Sequence, residues 1–172
     1  MVIKGAKMTY THTQIMTIAK DETQAAEDNL SKLLDIGLQE LNLTLGIVSQ
    51  IIGDSYTVVH TNNPELLGQQ FPLGTTYCSI TMSLVAKRIF AVKHFSVSDH
   101  FRHPAYKAFQ LETYIGSPIM VNKRQFGTLN FTKPTPRTED FTKEDKELVK
   151  SLSQAISYIL ETQPQTLEYA LL

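Results

Sequence analysis

Two pairs of predicted strands, each pair joined by a short turn and the first pair rich in β-branched residues, constrain the fold of this chain more than any other feature. Residue pairs such as Gly53-Asp54 between closely spaced segments of this kind are typical of antiparallel hairpins. The predicted strands are residues 43–52 and 55–61 in the first pair, and residues 114–122 and 126–133 in the second. The chain must therefore build an antiparallel sheet.

Two amphipathic helices are predicted outside the hairpins, because apolar residues recur there every three or four positions. The first begins at Asp21, and Ile36 lies off its stripe, either as a stray exposed residue or as a second contact surface. The last begins at Thr142, which with Asp145 resembles a capping box. The stripes are Ala26, Leu30, Leu33, Leu34, Gly37, Leu38 and Leu41 in the first helix, and Leu148, Val149, Leu152, Ala155, Ile156, Ile159 and Leu160 in the last.

The middle of the chain is less regular. We expect a short helix in residues 79–88, a third strand in residues 89–97 and a further helix, with a start signal at Ser98 or Asp99 and Pro104 in its first turn. Helices packed on an antiparallel sheet define an α+β domain. The predicted organisation is an arm of uncertain structure over residues 1–20, one domain over residues 21–162 and a tail over residues 163–172.

Composition and charge exclude several classes of protein. The chain has 172 residues, of which 42% are hydrophobic and 19% charged, as in ordinary globular proteins. Its formal net charge of −1 leaves no basic excess for a nucleic acid. No apolar run reaches the roughly 18 residues of a membrane span, and no secretory signal is recognisable. A single cysteine cannot form an internal disulfide, so we expect a cytoplasmic protein with neither nucleic-acid nor membrane partners.

Five short motifs occur in the order found in one known family. They are Pro72-Leu73-Gly74 with Thr76-Tyr77-Cys78, Asp99 and Pro104 with Tyr106, Tyr114-Ile115-Gly116-Ser117-Pro118, Phe126-Gly127-Thr128-Leu129, and Phe141-Thr142 with Asp145. From about residue 28 to 161 the chain therefore resembles a GAF domain, the small sensory module of cyclic-nucleotide phosphodiesterases, phytochromes and bacterial signalling proteins. The resemblance implies a profilin- or PAS-like antiparallel sheet flanked by helices, with the N- and C-terminal helices packed together on one face.

The resemblance also implies a small-molecule pocket between the sheet and residues 98–113. Within this segment Arg102 would suit a carboxylate or a phosphate. Because alternate residues of a strand face opposite sides, Tyr114 and Ser117 cannot both line the pocket. The expected ligand-binding residues are Tyr77, Cys78, Asp99, Phe101, Arg102, His103, Tyr106, Tyr114, Ser117 and Thr128.

Cys78 could be a nucleophile, an attachment point for a cofactor, a metal ligand or a small buried side chain. Free methionine sulfoxide reductases of this family use several cysteines, because a second thiol must resolve the sulfenic acid, and this chain has one. Bilin-binding members attach the chromophore to a cysteine closely followed by histidine, whereas residues 79–81 are Ser-Ile-Thr. A hydrolase-type pair of Cys78 with a histidine stays an open alternative, because residues distant in sequence can meet in the folded chain. We expect Cys78 to pack beside the pocket, without a cofactor.

Three of the histidines are candidate metal ligands. His94, His100 and His103 lie within ten residues, with Asp99 among them, and these residue types suit zinc or nickel. Polar residues in such a connecting segment are also common simply because it is exposed. We expect no metal site.

The predicted function is therefore that of a ligand-sensing regulatory domain in signal transduction, not an enzyme. A ligand would close residues 98–113 over the sheet, and the terminal helices would report the change. The alternatives are a thiol-dependent reductase resembling free methionine sulfoxide reductase, and a dimerisation module with a vestigial pocket. Expected partners are an unknown small molecule, an output kinase or other regulator, and a second copy bound through Ile36, Val149 and Ile156 of the terminal helices.

Overall fold

The computed structural model describes residues 10–83 and 89–164, and within them one antiparallel sheet of six strands forms. The strands are β1 (Leu45–Ile52), β2 (Ser55–Thr61), β3 (Gln70–Pro72), β4 (Phe90–Val92), β5 (Thr113–Val121) and β6 (Arg124–Lys133). Their order across the sheet is β3-β2-β1-β6-β5-β4. The two predicted hairpins are thus β1–β2 and β5–β6, and they meet through the central pairing of β1 with β6.

Five α-helices accompany the sheet in the described residues. They are α1 (His12–Ala19), α2 (Ala26–Leu41), α3 (Cys78–Ser83), α4 (Pro104–Phe109) and α5 (Lys143–Thr162). Both α1 and α2 pack on α5, which lies against β5. The α+β class and the packing of the terminal helices together on one face are therefore confirmed. No helix in the described ranges is long and apolar enough to cross a membrane.

Local chemistry fixes the ends of these elements. Thr142 and Asp145 form the predicted capping box of α5, with each side chain accepting a hydrogen bond from the backbone N–H of the other residue. The second hairpin turns at Asn122 and Lys123, whose φ angles are 49° and 65°. The sequence placed this turn at residues 123–125. It lies one residue earlier because the right-handed twist of a hairpin favours two turn residues with positive φ, and asparagine adopts that conformation readily.

The N-terminal segment differs from the sequence-based prediction. Residues 12–19, expected in an arm of uncertain structure, form α1, and Ile15 on this helix is fully buried. The next helix begins at Ala26 instead of Asp21. The reason is an Asx turn, in which the Asp21 carboxylate accepts a hydrogen bond from the Thr23 backbone N–H and so holds the chain out of the helix.

The middle of the chain is less regular than predicted. The third strand is limited to β4, and a short 3₁₀ helix follows it at Phe95–Val97. The next helix begins at Pro104, and not after the predicted start signal at Ser98 or Asp99, because the Nδ1 atom of His103 accepts a hydrogen bond from the Ala105 N–H and caps the helix. Of the helix expected in residues 79–88, the part in α3 is observed, and residues 84–88 lie outside the described residues.

The prediction that Ile36, Val149 and Ile156 form a dimer interface is wrong. Ile36 is 6% exposed, and Val149 and Ile156 are 0% exposed, so all three lie in the core of the protomer. The physical reason is that α5 packs against α1, α2 and β5 at once, which covers a wider part of its surface than one sheet face could. Pairing with a second copy cannot use these side chains while the domain is folded.

Candidate ligand pocket

A cavity of about 100 Å³ lies on the face of the sheet opposite the terminal helices. We call it the sheet pocket. Its walls come from β1, β2, β3, β5 and β6, from the start of α3, and from the chain around the end of α4. The lining residues are Leu45, Ile47, Tyr56, Val58, Leu66, Phe71, Thr76, Tyr77, Cys78, Phe109, Leu111, Tyr114, Asn130 and Thr132.

Strand alternation determines which side chains reach the sheet pocket. On β5 and β6, the paired residues Tyr114 and Thr132 face it, whereas Ile115 and Phe131 face the helices. Gly116 allows this arrangement, because a Cβ atom there would collide with the hydroxyl end of the Tyr114 side chain. The space left by the missing Cβ atom of Gly116 is therefore filled by a side chain of its own strand.

Cys78 lies in the pocket wall at the start of α3, and it is 3% exposed. Its Sγ atom accepts hydrogen bonds from Thr128 Oγ1 at 3.2 Å and Asn130 Nδ2 at 3.3 Å, and lies 3.4 Å from the Tyr114 hydroxyl. Burial raises the pKa of the thiol, although the hydrogen bonds from Thr128 and its other neighbours oppose that shift. A protonated, enclosed thiol is a poor nucleophile.

The other ionisable groups of the pocket wall are also neutral. Burial raises the pKa values of Tyr56 and Tyr114 well above the ordinary range of a phenol, and burial raises that of Tyr77 as well. Among the described residues, no lysine, arginine, histidine, aspartate or glutamate lines the cavity. The sheet pocket is therefore an uncharged environment at neutral pH.

Thr132 differs from the other hydroxyl residues of the wall in its hydrogen bonding. It is 2% exposed, and its hydroxyl has no hydrogen-bond partner in the described part of the chain. A buried polar group left without a partner costs about 1–3 kcal/mol, and native proteins seldom leave one so. Because Thr132 also lines the cavity, this hydroxyl is a candidate contact for a bound molecule.

Residues 103–112, which include α4 and which we call the cover, lie against one side of the sheet pocket. Phe109 and Leu111 line the cavity from this side, and the Leu111 carbonyl accepts a hydrogen bond of 3.1 Å from the Tyr77 hydroxyl. The next residue, Glu112, accepts hydrogen bonds from the Tyr106 hydroxyl at 2.7 Å and the Ser96 backbone N–H at 3.0 Å. Partial burial alone would raise the pKa of Glu112, but these hydrogen bonds outweigh it and lower the pKa, so the carboxylate is charged. Polar bonds thus hold the cover in place.

His103 joins the cover to α3. Its Nδ1 accepts from the Ala105 N–H, so the ring proton lies on Nε2, which is 3.0 Å from the Ser79 hydroxyl. Burial, and then the neighbouring His100, lower the pKa of His103, in keeping with a neutral ring. The ring also packs on Tyr77, with 5.7 Å between ring centroids. The role of His103 is to hold α4 in position.

The structure brings together part of the predicted site. Tyr77, Cys78 and Tyr114 lie in the pocket wall, and Thr128 is directly behind it, bonded to the thiol. The cover contains His103 and Tyr106, which do not line the cavity.

Four predicted residues lie elsewhere. Asp99, Phe101 and Arg102 are exposed, because this part of the chain forms turns and the helix begins only at Pro104. The Arg102 guanidinium does not face the cavity; it lies over the Phe101 ring, 5.3 Å from the ring centroid. The fourth, Ser117, is on the helix side of β5, as strand alternation requires once Tyr114 faces the pocket.

Sequence reasoning missed most of the apolar wall and two polar residues of β6, Asn130 and Thr132. Strand alternation could have identified Asn130 and Thr132, because they lie on the same face of β6 as Thr128, which the sequence did assign to the pocket. The histidine segment gives no metal centre in the described residues, where no group of three or more His, Cys, Asp or Glu side chains is close enough to hold an ion. His94 instead lies 3.8 Å from the Glu112 carboxylate.

A sequence profile of the GAF domain matches residues 29–160, which is most of the chain. The chain belongs to the GAF domain family. No curated protein matches the GAF chain in sequence.

Solved GAF-type structures share the fold at low sequence identity. The GAF domain of an Acinetobacter phosphoenolpyruvate-protein phosphotransferase has a TM-score of 0.69 at 14% identity, over 90% of this chain and 92% of that one. Free methionine-R-sulfoxide reductase from Neisseria meningitidis, in complex with its substrate, has a TM-score of 0.68 at 15% identity, over 90% and 88%. The phycocyanobilin-bound GAF domain of a cyanobacterial phytochrome has a TM-score of 0.66 at 15% identity, over 90% of this chain and 98% of that one.

The buried thiol predicts a pH dependence for the stability of this GAF domain. Because its pKa is raised in the folded state, the unfolded chain loses the Cys78 proton at lower pH than the folded one. The free energy of unfolding should then fall as the pH rises above about 8.5, by at most about 1.4 kcal/mol per pH unit. Urea unfolding between pH 7 and pH 10 should show a smaller fall in Cys78→Ser, which lacks the titrating thiol. Equal falls in both proteins would contradict the raised pKa.

Proposed function

We propose that this GAF domain is a non-catalytic sensory module that binds a small molecule in the sheet pocket and signals through its terminal helices. The observation that carries the proposal is the apolar cavity itself, which lies between the sheet and the chain around the end of α4. A cavity with apolar walls and a few placed polar groups is the usual form of a small-molecule site.

The sheet offers a route from the pocket to the helices. Thr132 and Asn130 of β6 face the cavity, and Phe131 between them faces the opposite side. The Phe131 ring lies so close to α2 that a Cβ atom on Gly37 would collide with it. A ligand that shifts β6 would therefore press directly on the backbone of α2, which in turn packs on α5.

A sensory role fits the chemistry of the pocket better than a thiol-based reaction does. The only cysteine of the chain is buried, protonated and engaged by Thr128 and Asn130. A reductase would need a thiolate and a second thiol to resolve the oxidised sulfur. Both features favour binding over turnover.

The proposed function also implies partners and a location for this module. We propose a cytoplasmic protein that acts on a kinase or another regulator, and that pairs with a second copy through its terminal helices. Since most apolar residues of α5 are buried, such pairing would use its exposed face, which carries polar residues such as Lys146, Glu147 and Gln154.

Filling the cavity tests the proposal. Val58 lines the sheet pocket and is 0% exposed, so the ring of Val58→Phe should occupy the space of a ligand. Native mass spectrometry of freshly purified protein should find a bound small molecule on the wild type and none on Val58→Phe. In the matched control Ile52→Phe, the new ring stands at a position that is 67% exposed, and the bound mass should stay. A wild type without bound mass, or equal mass on all three folded proteins, would contradict the proposal.

A further inference from the structure

We infer that the sheet pocket takes a compact, uncharged molecule with a single hydrogen-bonding group, such as a small alcohol, phenol or ketone, whose polar end pairs with the Thr132 hydroxyl. This inference rests on the proposed function, because it names the class of ligand for that site.

The absence of charge from the wall excludes ionic ligands. Among the described residues, the lining side chains are apolar or neutral, and Arg102, the residue expected to hold a carboxylate or phosphate, lies outside the pocket. The carboxylate of the cover, Glu112, is bonded to Tyr106 and Ser96 instead. Burying an unpaired charge in such surroundings costs far more than burying a neutral polar group.

The polar groups of the wall point to one contact. The hydroxyls and the thiol that line the cavity pair within the protein, with one exception. Thr76 donates to the Leu73 carbonyl, Tyr77 to the Leu111 carbonyl, Tyr114 pairs with Thr81 at 2.7 Å, and Asn130 donates to both Tyr56 and Cys78. Thr132 is the lining hydroxyl left without a partner in the described residues. A single unpartnered hydroxyl among the lining hydroxyls suits a ligand with one polar group.

The volume sets the scale of the molecule. An engineered apolar cavity of about 150 Å³ in another protein holds benzene. The sheet pocket, at about 100 Å³, is of the same order. A single ring or a short branched chain fits this space, whereas a polycyclic or nucleotide ligand would require the cover to move.

Three probes of similar shape test the inference. Benzyl alcohol is neutral with one hydroxyl, toluene lacks the hydroxyl, and benzoate carries a charge. Titrations should show binding of benzyl alcohol and toluene and none of benzoate. The Thr132→Val variant keeps the shape of the side chain and removes the hydroxyl. It should lower the affinity for benzyl alcohol relative to toluene by about tenfold. Thr57→Val, on β2 outside the pocket, is the matched control and should leave that ratio unchanged.

The outcomes separate this inference from the proposed function. An unchanged affinity ratio in Thr132→Val, preferred binding of benzoate, or no binding of any probe would overturn the inference. A charged native ligand that is lost on filling the pocket with Val58→Phe would also overturn it, yet would support the proposed function. If no probe binds and the purified protein carries no small molecule, both fail.

Discussion

Gly127→Ala should destabilise the domain by about 3 kcal/mol or more, measured as the loss in free energy of unfolding in urea. A Cβ atom at this position would overlap the backbone carbonyl of Ser49 on the neighbouring strand. Gly127 pairs with Gln50 in the centre of the sheet, where β6 lies between β1 and β5. Because backbone cannot swing aside as a flexible side chain does, relief of the overlap would require β1 and β6 to separate.

Gly74→Ala is the matched control for this substitution. A Cβ atom on Gly74 meets open space, and its φ angle lies outside the left-handed region. The change should alter the free energy of unfolding by no more than about 0.5 kcal/mol. Equal stabilities of the two variants would mean that β1 and β6 do not approach as closely as the structure places them.

Ile156→Glu should abolish cooperative folding instead of dissociating a dimer. Its side chain is 0% exposed in the core between α5, the other terminal helices and the sheet. An uncompensated buried charge costs about 3–5 kcal/mol, which is a large share of the stability of a domain of this size. Circular dichroism and thermal melting should show the loss of the folded state.

Gln154→Glu adds the same charge on the exposed side of the same helix, and should leave the fold and its stability nearly unchanged. Sedimentation of both variants separates the two accounts of α5. If Ile156→Glu gave a folded monomer from a wild-type dimer, the burial of this residue inside the protomer would be contradicted, and the interface predicted from the sequence would return.

The fold could largely be predicted from the sequence because its strongest signals are local. Short turns between closely spaced strand segments determine β1–β2 and β5–β6, and the capping pair Thr142 and Asp145 determines the start of α5. The helix stripes showed which residues are apolar, but not how many elements cover them. Ile36 was therefore open to interpretation as a contact surface, although packing among the terminal helices buries it.

The pocket was harder to predict, because it depends on contacts between segments that are distant in sequence. Strand alternation showed that Tyr114 and Ser117 face opposite sides, but it could not tell which side holds the pocket. The positions of Phe101 and Arg102 depend on where α4 begins. This is set by the His103 cap, whose ring also contacts Ser79, a residue distant in sequence. Thr132 carries a hydroxyl like that of any other threonine until its surroundings show that it has no partner.

Hydrogen exchange tests the central claim, that a ligand in the sheet pocket is reported by helices across the sheet. The comparison is between protein that retains its bound small molecule and protein refolded without it. Binding should slow the exchange of backbone amides in the cover, and also in α2 around Gly37, where Phe131 makes contact. Slower exchange in both regions is the predicted result. Protection confined to the pocket wall and cover, or no change at all, would contradict the claim.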